Sequence, residues 1–147
     1  MSNPSTTSYG FIDLDGFSEI NNEFGHAFGD EVLDQIVEFG EEFAEPDWDF
    51  DREYGQGDEF LLVMPTVDKS SASDVMERFL RELRSLNPKG ESVTASIGIA
   101  ASPDDGTTRE EVVKKADLAM LNAERWGGDN VVAYGGGETN EGNQSLV

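Results

Sequence analysis

Two acidic motifs carry the residues best suited to chemistry in this chain. The first is FIDLDGF at residues 11–17, and the second is YGQGDEF at residues 54–60, which continues directly into the apolar LLVM. A carboxylate at the end of a buried strand is costly unless a cation or hydrogen-bond donors satisfy it. Because Asp and Glu oxygens are the ligands that Mg²⁺ prefers in proteins, Asp13 and Asp58 predict one shared divalent-metal site.

Each motif also has a purely structural interpretation, which the residues alone leave open. The glycines on either side of Gln56 permit a tight hairpin turn with solvated acids, and the DLDG segment at residues 13–16 is typical of a turn that caps a helix. In the metal interpretation, Asp58 and Glu59 stand at the head of a strand and point to opposite faces. One of them can then bind a metal while its neighbour has a different role.

Hydrophobic periodicity predicts the strands and helices that must position these motifs. The predicted strands are 8–14, 48–54, 59–64, 92–100 and 131–134, and the predicted helices are 17–24, 27–44, 70–86 and 108–127. The last helix opens with a capping box formed by Thr108 and Glu111. The resulting order, β-α-α-β-β-α-β-α-β, predicts an α+β fold in which helices cover a sheet.

The length of 147 residues predicts one domain at 8–134, preceded by a loose Ser/Thr-rich segment at 1–7 and followed by a flexible, acidic, Gly-rich tail at 135–147. Cysteine is absent, which excludes disulfides and thiolate metal sites. The sequence contains neither a signal peptide nor an apolar run of the roughly 20 residues that a membrane span needs. We therefore expect a soluble, cytoplasmic protein without a membrane partner.

Charge is the most unusual bulk property, with 31 acidic against 10 basic residues and a formal net charge of -21. Such a surface repels nucleic acids and anionic membranes, so no nucleic-acid partner is expected. It also repels itself unless salt screens it, and screening lengths fall to about 3 Å at 1 M salt. A halophilic cytoplasm is the preferred interpretation, and a mesophilic or phage protein with an acidic surface is the alternative.

Six sequence blocks, in this order, resemble the GGDEF family of diguanylate cyclases. The blocks are residues 13–17 (DLDGF), 20–26 (INNEFGH), 29–33 (GDEVL), 57–60 (GDEF), 96–100 (SIGIA) and 116–120 (ADLAM). The resemblance implies a palm-like, ferredoxin-related fold with a central, mostly antiparallel five-stranded sheet. It also implies condensation of two GTP into the cyclic dinucleotide c-di-GMP, with Mg²⁺ (or Mn²⁺) as cofactor, at the interface of a homodimer.

The resemblance also implies roles for individual residues. Asp13, the Leu14 carbonyl and Asp58 match the family's metal ligands, and Asp58 and Glu59 match its catalytic acids. Asn21 and Asp30 match the positions that recognise guanine, although helix capping would also explain these two residues. The remaining substrate-binding candidates are Phe17, Ser18 and Gly57. His26 matches a family histidine, which we interpret as ordering the loop between two helices.

The chain departs from the family pattern at the positions that usually bind the triphosphate. Where relatives carry Lys, Lys and Arg, this chain has Ser18, Glu124 and either Gly128 or Asp129. Each lost charge-assisted contact is typically worth about 1.5 to 3 kcal/mol. The nearby substitutes are Arg125, Lys114 and Lys115.

Two further departures concern the signature turn and the segment before it. Gln56 either replaces the first glycine of the signature or is inserted after Gly55, and the sequence does not decide which. Residues 47–50 (DWDF) lack the Arg-x-x-Asp product-inhibition motif of many relatives, so feedback through that motif is not expected.

Three functions are consistent with these observations. The first is an active diguanylate cyclase, which we prefer. The second is a degenerate GGDEF domain that binds GTP as a regulatory module, which the missing cations favour. The third is a different palm-type nucleotide cyclase or minimal polymerase.

Overall fold

The computed structural model describes residues 2–52 and 57–135, and within them the chain forms one five-stranded sheet and four α-helices. In chain order these are β1 (Ser2–Leu14), α1 (Phe17–Phe24), α2 (His26–Phe43), β2 (Asp49–Asp51), β3 (Glu59–Val67), α3 (Lys69–Arg84), β4 (Ala95–Ser102), α4 (Arg109–Arg125) and β5 (Asn130–Ala133). A short 3-10 turn, Pro88–Gly90, lies between α3 and β4. The element order is the one that the sequence predicts.

The sheet has the strand order β2-β3-β1-β4-β5, with β1 at its centre. β1 runs antiparallel to both β3 and β4, and β2 runs antiparallel to β3. Only the β4–β5 pair among these strands is parallel. The predicted α+β class with a mostly antiparallel five-stranded sheet is therefore confirmed.

Alternation along the strands divides the core between the two faces of the sheet. On one face, Tyr9 and Phe11 of β1 pack with Leu61 and Val63 of β3 against the buried side of α4. The residues between them in sequence face the opposite way and join a larger cluster with α2 and α3. That cluster includes Ile12, Leu14, Phe60, Leu62, Ile36, Met76, Phe79 and Leu80.

The predicted capping box of α4 is confirmed. The Thr108 hydroxyl accepts a hydrogen bond from the Glu111 backbone N–H at 3.1 Å, and the Glu111 carboxylate accepts from the Thr107 and Thr108 N–H groups at 2.9 and 3.4 Å. These N–H donors hold the pKa of Glu111 below its usual value. The Thr108 hydroxyl and the Glu111 carboxylate thereby accept hydrogen bonds from N–H groups at the start of α4 that have no partner within the helix.

The sequence analysis places the start of the first strand too late in the chain. β1 starts at Ser2 rather than Ser8, so the prediction of a loose segment is wrong for residues 2–7. Thr7 pairs with Pro65 on one side and Ser102 on the other, and the Ser8 hydroxyl donates to the Val67 carbonyl at 2.7 Å. Pairing on both edges of a central strand outweighs a Ser/Thr-rich composition.

Other boundaries shift by a few residues. β3 extends to Val67, and β4 begins at Ala95 rather than residue 92; the hydrogen bond from the Asp15 N–H to the Thr94 carbonyl (2.9 Å) continues the β1–β4 register by one pair beyond the strand ends. β2 is shorter than predicted, and residues 53–54 of its predicted range lie outside the described residues. The predicted tail lies outside them from residue 136 on, so it stays a prediction.

Across the described ranges, each helix is too short or too polar to cross a membrane.

Candidate active site

The structure brings the two acidic motifs together at one end of the sheet. Asp13, the penultimate residue of β1, lies opposite Glu59, the first residue of β3. Asp58 directly precedes β3, and its carbonyl accepts a hydrogen bond from the Leu14 N–H at 3.2 Å. The antiparallel pairing of β1 with β3 therefore places the carboxylates of both motifs side by side.

Most of the predicted metal and substrate residues line one open cleft. Its volume is about 410 Å³, and it lies between the end of β1, the start of α1 and the end of α4. The lining residues are Asp13, Leu14, Asp15, Gly16, Phe17, Ser18, Asp58, Glu124, Gly127 and Gly128. The predicted metal ligands Asp13, Leu14 and Asp58 all belong to this set, whereas Glu59 does not.

The acids of the cleft strongly influence one another. Burial, a side-chain hydrogen bond with Glu124 and the charges of Asp58, Glu124 and Glu59 raise the pKa of Asp13 from 3.8 to about 8. Burial and the charge of Glu124 also raise the pKa of Asp58, against the opposing effect of a hydrogen bond from its own backbone N–H. The pKa of Asp117 on α4 is also raised, by burial and by the charge of Glu124. This concentration of negative charge is typical of a site that a cation completes.

Glu124 is the site residue whose contact the sequence did not reveal. Strand alternation puts Asp13 on the same face as Tyr9 and Phe11, which is the face that α4 covers. The last turn of α4 therefore brings Glu124 into hydrogen-bond contact with Asp13. The resemblance to the family identified position 124 only as one where relatives carry a Lys and this chain does not.

Asp15 has a structural role rather than the capping role that the DLDG motif also suggested. Its carboxylate accepts hydrogen bonds from the Thr94 and Ser96 hydroxyls, both at 2.7 Å, and from the Asp129 N–H at 2.8 Å. The N-cap of α1 is Gly16, with a φ of 66° and no side-chain cap bond. Asp15 therefore ties the β1 end to β4 and to the segment after α4.

A second cavity of about 300 Å³ shares Phe17, Ser18 and Asp58 with the cleft. Its other lining residues are Asn21, His26, Asp30, Leu33 and Gly57. All of the predicted substrate-binding residues thus line the cleft, this cavity or both. The Gly57 φ of 99° favours glycine at that position, while Tyr54, Gly55 and Gln56 of the signature turn lie outside the described residues.

Helix capping does not account for Asp30 or Asn21. Asp30 is the fifth residue of α2, whose N-cap, Gly25, makes no side-chain cap bond. The end of α1 is closed by a backbone bond from the Gly25 N–H to the Asn21 carbonyl at 2.8 Å, so the Asn21 amide is not needed there. This amide lies directly against Gly29, where a Cβ would collide with its Oδ1. His26 begins α2 and also reaches this cavity.

The donor set suits a magnesium ion that a ligand completes. Within residues 2–52 and 57–135, no three His, Asp or Glu side chains are placed to hold a metal by themselves. Mg²⁺, however, commonly binds through one or two carboxylates together with water and substrate phosphates. Asp13 and Asp58, with the Leu14 backbone, meet that smaller requirement.

The site therefore belongs to a mostly antiparallel α+β domain in which carboxylates from two neighbouring strands lie beside a second cavity. A comparison with family models assigns it more closely. The model described as "Diguanylate cyclase, GGDEF domain" matches residues 2–130. The chain belongs to the GGDEF family.

Curated relatives resemble the chain over most of its length. The response regulator PleD of Caulobacter vibrioides is 36% identical over 130 residues, covering 82% of this chain and 28% of PleD. Diguanylate cyclase A of Treponema denticola is 32% identical over 130 residues, covering 86% and 34%. The bifunctional diguanylate cyclase/phosphodiesterase MucR of Pseudomonas aeruginosa is 33% identical, covering 80% and 17%. The chain thus spans about a sixth to a third of these relatives.

Solved structures agree with the family assignment. The GGDEF domain of YfiN from Pseudomonas aeruginosa superposes with a TM-score of 0.81 at 27% identity, covering 88% of this chain and 83% of that one. The GGDEF domain of DgcB from Caulobacter crescentus, in complex with c-di-GMP, gives 0.77 at 25% identity, covering 88% and 78%. These superpositions support the same fold assignment as the strand order.

Proposed function

We propose that this chain is a diguanylate cyclase domain that condenses two GTP into c-di-GMP with a divalent metal, Mg²⁺ or Mn²⁺, as a homodimer in a saline cytoplasm. The observation that carries the proposal is the adjacency of the carboxylate cleft and the second cavity, which share Phe17, Ser18 and Asp58. A nucleotide lying across both would have its phosphates beside Asp13 and Asp58. Its base would lie beside Asn21 and Asp30.

The second cavity offers the hydrogen-bonding groups that guanine requires. The Asp30 carboxylate can accept from the N1 and N2 protons of the base, and the Asn21 amide can donate to or accept from the remaining edge. Adenine has neither the N1 proton nor the N2 amino group, so in the same pose it would not donate these two hydrogen bonds to Asp30. The proposed substrate is therefore a guanosine nucleotide.

In the cleft, Asp13, Asp58 and the Leu14 carbonyl would hold the metal. When bound, the metal would neutralise charge on the α-phosphate. Glu59, which lies opposite Asp13 across the β1–β3 pair, would help the attacking hydroxyl lose its proton. Each of two 3′-hydroxyls then forms a bond to the α-phosphate of the other nucleotide and displaces pyrophosphate.

This reaction scheme requires two subunits. Each site would bind one GTP, and two such sites must face each other for both phosphodiester bonds to form. The rate should therefore rise faster than linearly with protein concentration while dimers are scarce.

A second function, a nucleotide-binding module without turnover, is favoured by one specific observation. The side chain that reaches the cleft from the end of α4 is the carboxylate of Glu124 rather than a cation. A cleft without a phosphate-binding cation binds a triphosphate less strongly. The domain would then act as a regulatory module that binds GTP.

Product analysis distinguishes the two functions. Purified protein in high KCl, with GTP and Mg²⁺ or Mn²⁺, should yield c-di-GMP and pyrophosphate, detected by mass spectrometry. Asp58→Asn should abolish the product, whereas Asp74→Asn, which makes the same charge change at an exposed position of α3, should leave it unchanged. GTP binding without any nucleotide product would reject the cyclase in favour of the binding module.

A further inference from the structure

A groove lies between α2 and α3, on the face of the sheet opposite to α4. It consists of two neighbouring cavities of about 290 and 240 Å³, which share Phe39 and Glu42. The other lining residues are Gln35, Glu38 and Leu86 in the first cavity and Phe43, Arg78 and Glu82 in the second. None of these residues lines the carboxylate cleft or the cavity beside it, so this α2–α3 groove is a separate surface.

Helical spacing gives the groove an apolar floor and an acidic rim. Phe39 and Phe43 are four residues apart on α2 and form one row, and Glu38 and Glu42 form the row beside it. The two phenylalanines are half-buried, and the two glutamates are exposed. Both rings lie against the buried Phe79, at centroid distances of 5.0 and 5.1 Å, so core packing holds the floor in place. An accessible aromatic floor is typical of a protein-interaction surface.

One half of the groove already holds a basic group. The guanidinium carbon of Arg78 lies 4.2 Å from the centroid of the Phe43 ring, and its Nη1 pairs with the Glu82 carboxylate at 3.1 Å. A cation over an aromatic face is attracted by the ring electrons, and the carboxylate adds an ion pair.

The other half has the same two components without a cation. Phe39 supplies the ring, and Glu38 and Glu42 supply the carboxylates. Among the residues that the structure describes, no ion pair includes either glutamate. A basic side chain from another molecule can therefore bind beside Phe39 as Arg78 binds beside Phe43.

We propose that the α2–α3 groove docks a basic amphipathic helix of a partner protein. Apolar side chains at every third or fourth position of that helix pack on Phe39, Phe43 and Leu86, and its Lys or Arg side chains pair with Glu38 and Glu42. Charge decides the kind of partner, because the groove carries three carboxylates against one guanidinium and the whole chain has a net charge of -21. The same charge disfavours a second copy of this chain, since two equally acidic molecules repel each other.

The dimensions of the groove define a probe. From Gln35 to Phe43, the α2 side of the groove is about 12 Å long. A peptide of about 14 residues, with Leu and Arg at helical spacing, forms a helix about 21 Å long that covers it. The matched control peptide carries Glu in place of each Arg.

The test measures binding of the fluorescein-labelled peptide to the full chain by fluorescence anisotropy. The double variant Glu38→Gln/Glu42→Gln keeps the shape of the rim and should weaken binding about tenfold, because two ion pairs are lost. Phe39→Ala removes part of the floor and should weaken binding by a similar factor. Asp104→Asn/Glu110→Gln makes the same charge change at exposed positions on the α4 side of the sheet and should leave the affinity within about twofold of wild type.

Circular dichroism verifies the fold of each variant, and the two glutamate substitutions, which are at exposed positions, carry the test if Phe39→Ala fails to fold. Amide NMR spectra of the wild type locate the bound peptide. Perturbations confined to residues 35–43 and 78–86, together with the tenfold loss in the Glu38/Glu42 variant alone of the two charge variants, support the proposal.

Three results would overturn it. Equal weakening by the two charge variants would show that the peptide responds only to net charge. Binding of the Glu peptide as tightly as the Arg peptide would remove the role of the acidic rim. Failure of the Arg peptide to bind, with sedimentation showing a dimer that Phe39→Ala dissociates, would assign the groove to a second copy of this chain instead.

Discussion

Gly98→Ala tests how closely α4 must approach the sheet for Glu124 to reach Asp13. An alanine Cβ at position 98 would lie 2.9 Å from the Ala119 carbonyl carbon and closer still to the Ala116 carbonyl oxygen and the Met120 nitrogen. These are backbone atoms of a packed helix, which cannot turn aside as a side chain can. The helix must therefore move away from β4 as a unit.

The expected cost follows from what the added methyl group meets. Overpacking a well-filled core typically costs about 1–3 kcal/mol in stability. Because the atoms that obstruct the new methyl group belong to the helix backbone, we expect the cost of Gly98→Ala to lie at the upper end of this range. For a domain of this size, a loss of about 3 kcal/mol lowers Tm by roughly 10 °C. Because α4 carries Glu124, the same displacement should also lower the pKa of Asp13 by removing its hydrogen bond with that residue.

Gly10→Ala is the matched control, because Gly10 occupies the neighbouring central strand. The atoms nearest to its added Cβ would be those of the Met76 side chain, at 3.0–3.3 Å, and a methionine side chain adapts readily. Replacing a strand glycine also recovers about 0.5–1 kcal/mol, so this variant should unfold close to the wild-type urea concentration. Equal urea midpoints for Gly98→Ala and Gly10→Ala would refute the close-packing argument.

The remaining predictions concern the metal site, the surface charge and pH. GTP with Mg²⁺ should raise Tm of the wild type by ligand linkage, and Asp58→Ala should lose the nucleotide-dependent part; an unchanged shift would remove Asp58 from the site. Stability should climb as KCl increases from about 0.1 M to molar levels, and a flat melting series would contradict the halophilic interpretation. Because the pKa of Asp13 is raised from 3.8 to about 8, its contribution to the stability of the metal-free protein is fully present below about pH 4 and is lost as pH rises toward 8. The urea midpoint of the wild type should therefore fall between about pH 4 and pH 8 relative to that of Asp13→Asn, and parallel curves would contradict the assignment.

The sequence predicted the elements of the fold better than their ends. The helix Phe17–Phe24 and the start of β3 at Glu59 agree with prediction, because a motif or a glycine marks each boundary. The start of β1 was missed because Ser and Thr are common both in loose termini and in strands. Pairing to β3 and β4 decides between these two outcomes, and pairing is not visible in a local pattern.

The candidate site was partly predictable for the same reason. The convergence of Asp13 with Asp58 follows from two motifs at strand ends, so spacing and residue type were sufficient. The contact of Glu124 with Asp13 depends on how α4 lies over the sheet, and residues more than a hundred positions apart in sequence give no local signal of it. Asp15 was ambiguous because its partners lie far away in the sequence, Thr94 just before β4 and Ser96 within it.

The packing of α4 links the stability of this domain to the charge of its site. Gly98 allows the helix to approach β4, and the approach brings the charge of Glu124 against Asp13. That contact raises the cost of an ionised Asp13, which a divalent metal would relieve by favouring the charged form. In the metal-free domain the charged form of Asp13 is therefore disfavoured where the proposed cofactor would bind, so metal binding should stabilise the fold and become stronger as pH rises. A metal-induced rise in Tm that does not depend on pH would break this link between Glu124, Asp13 and the metal.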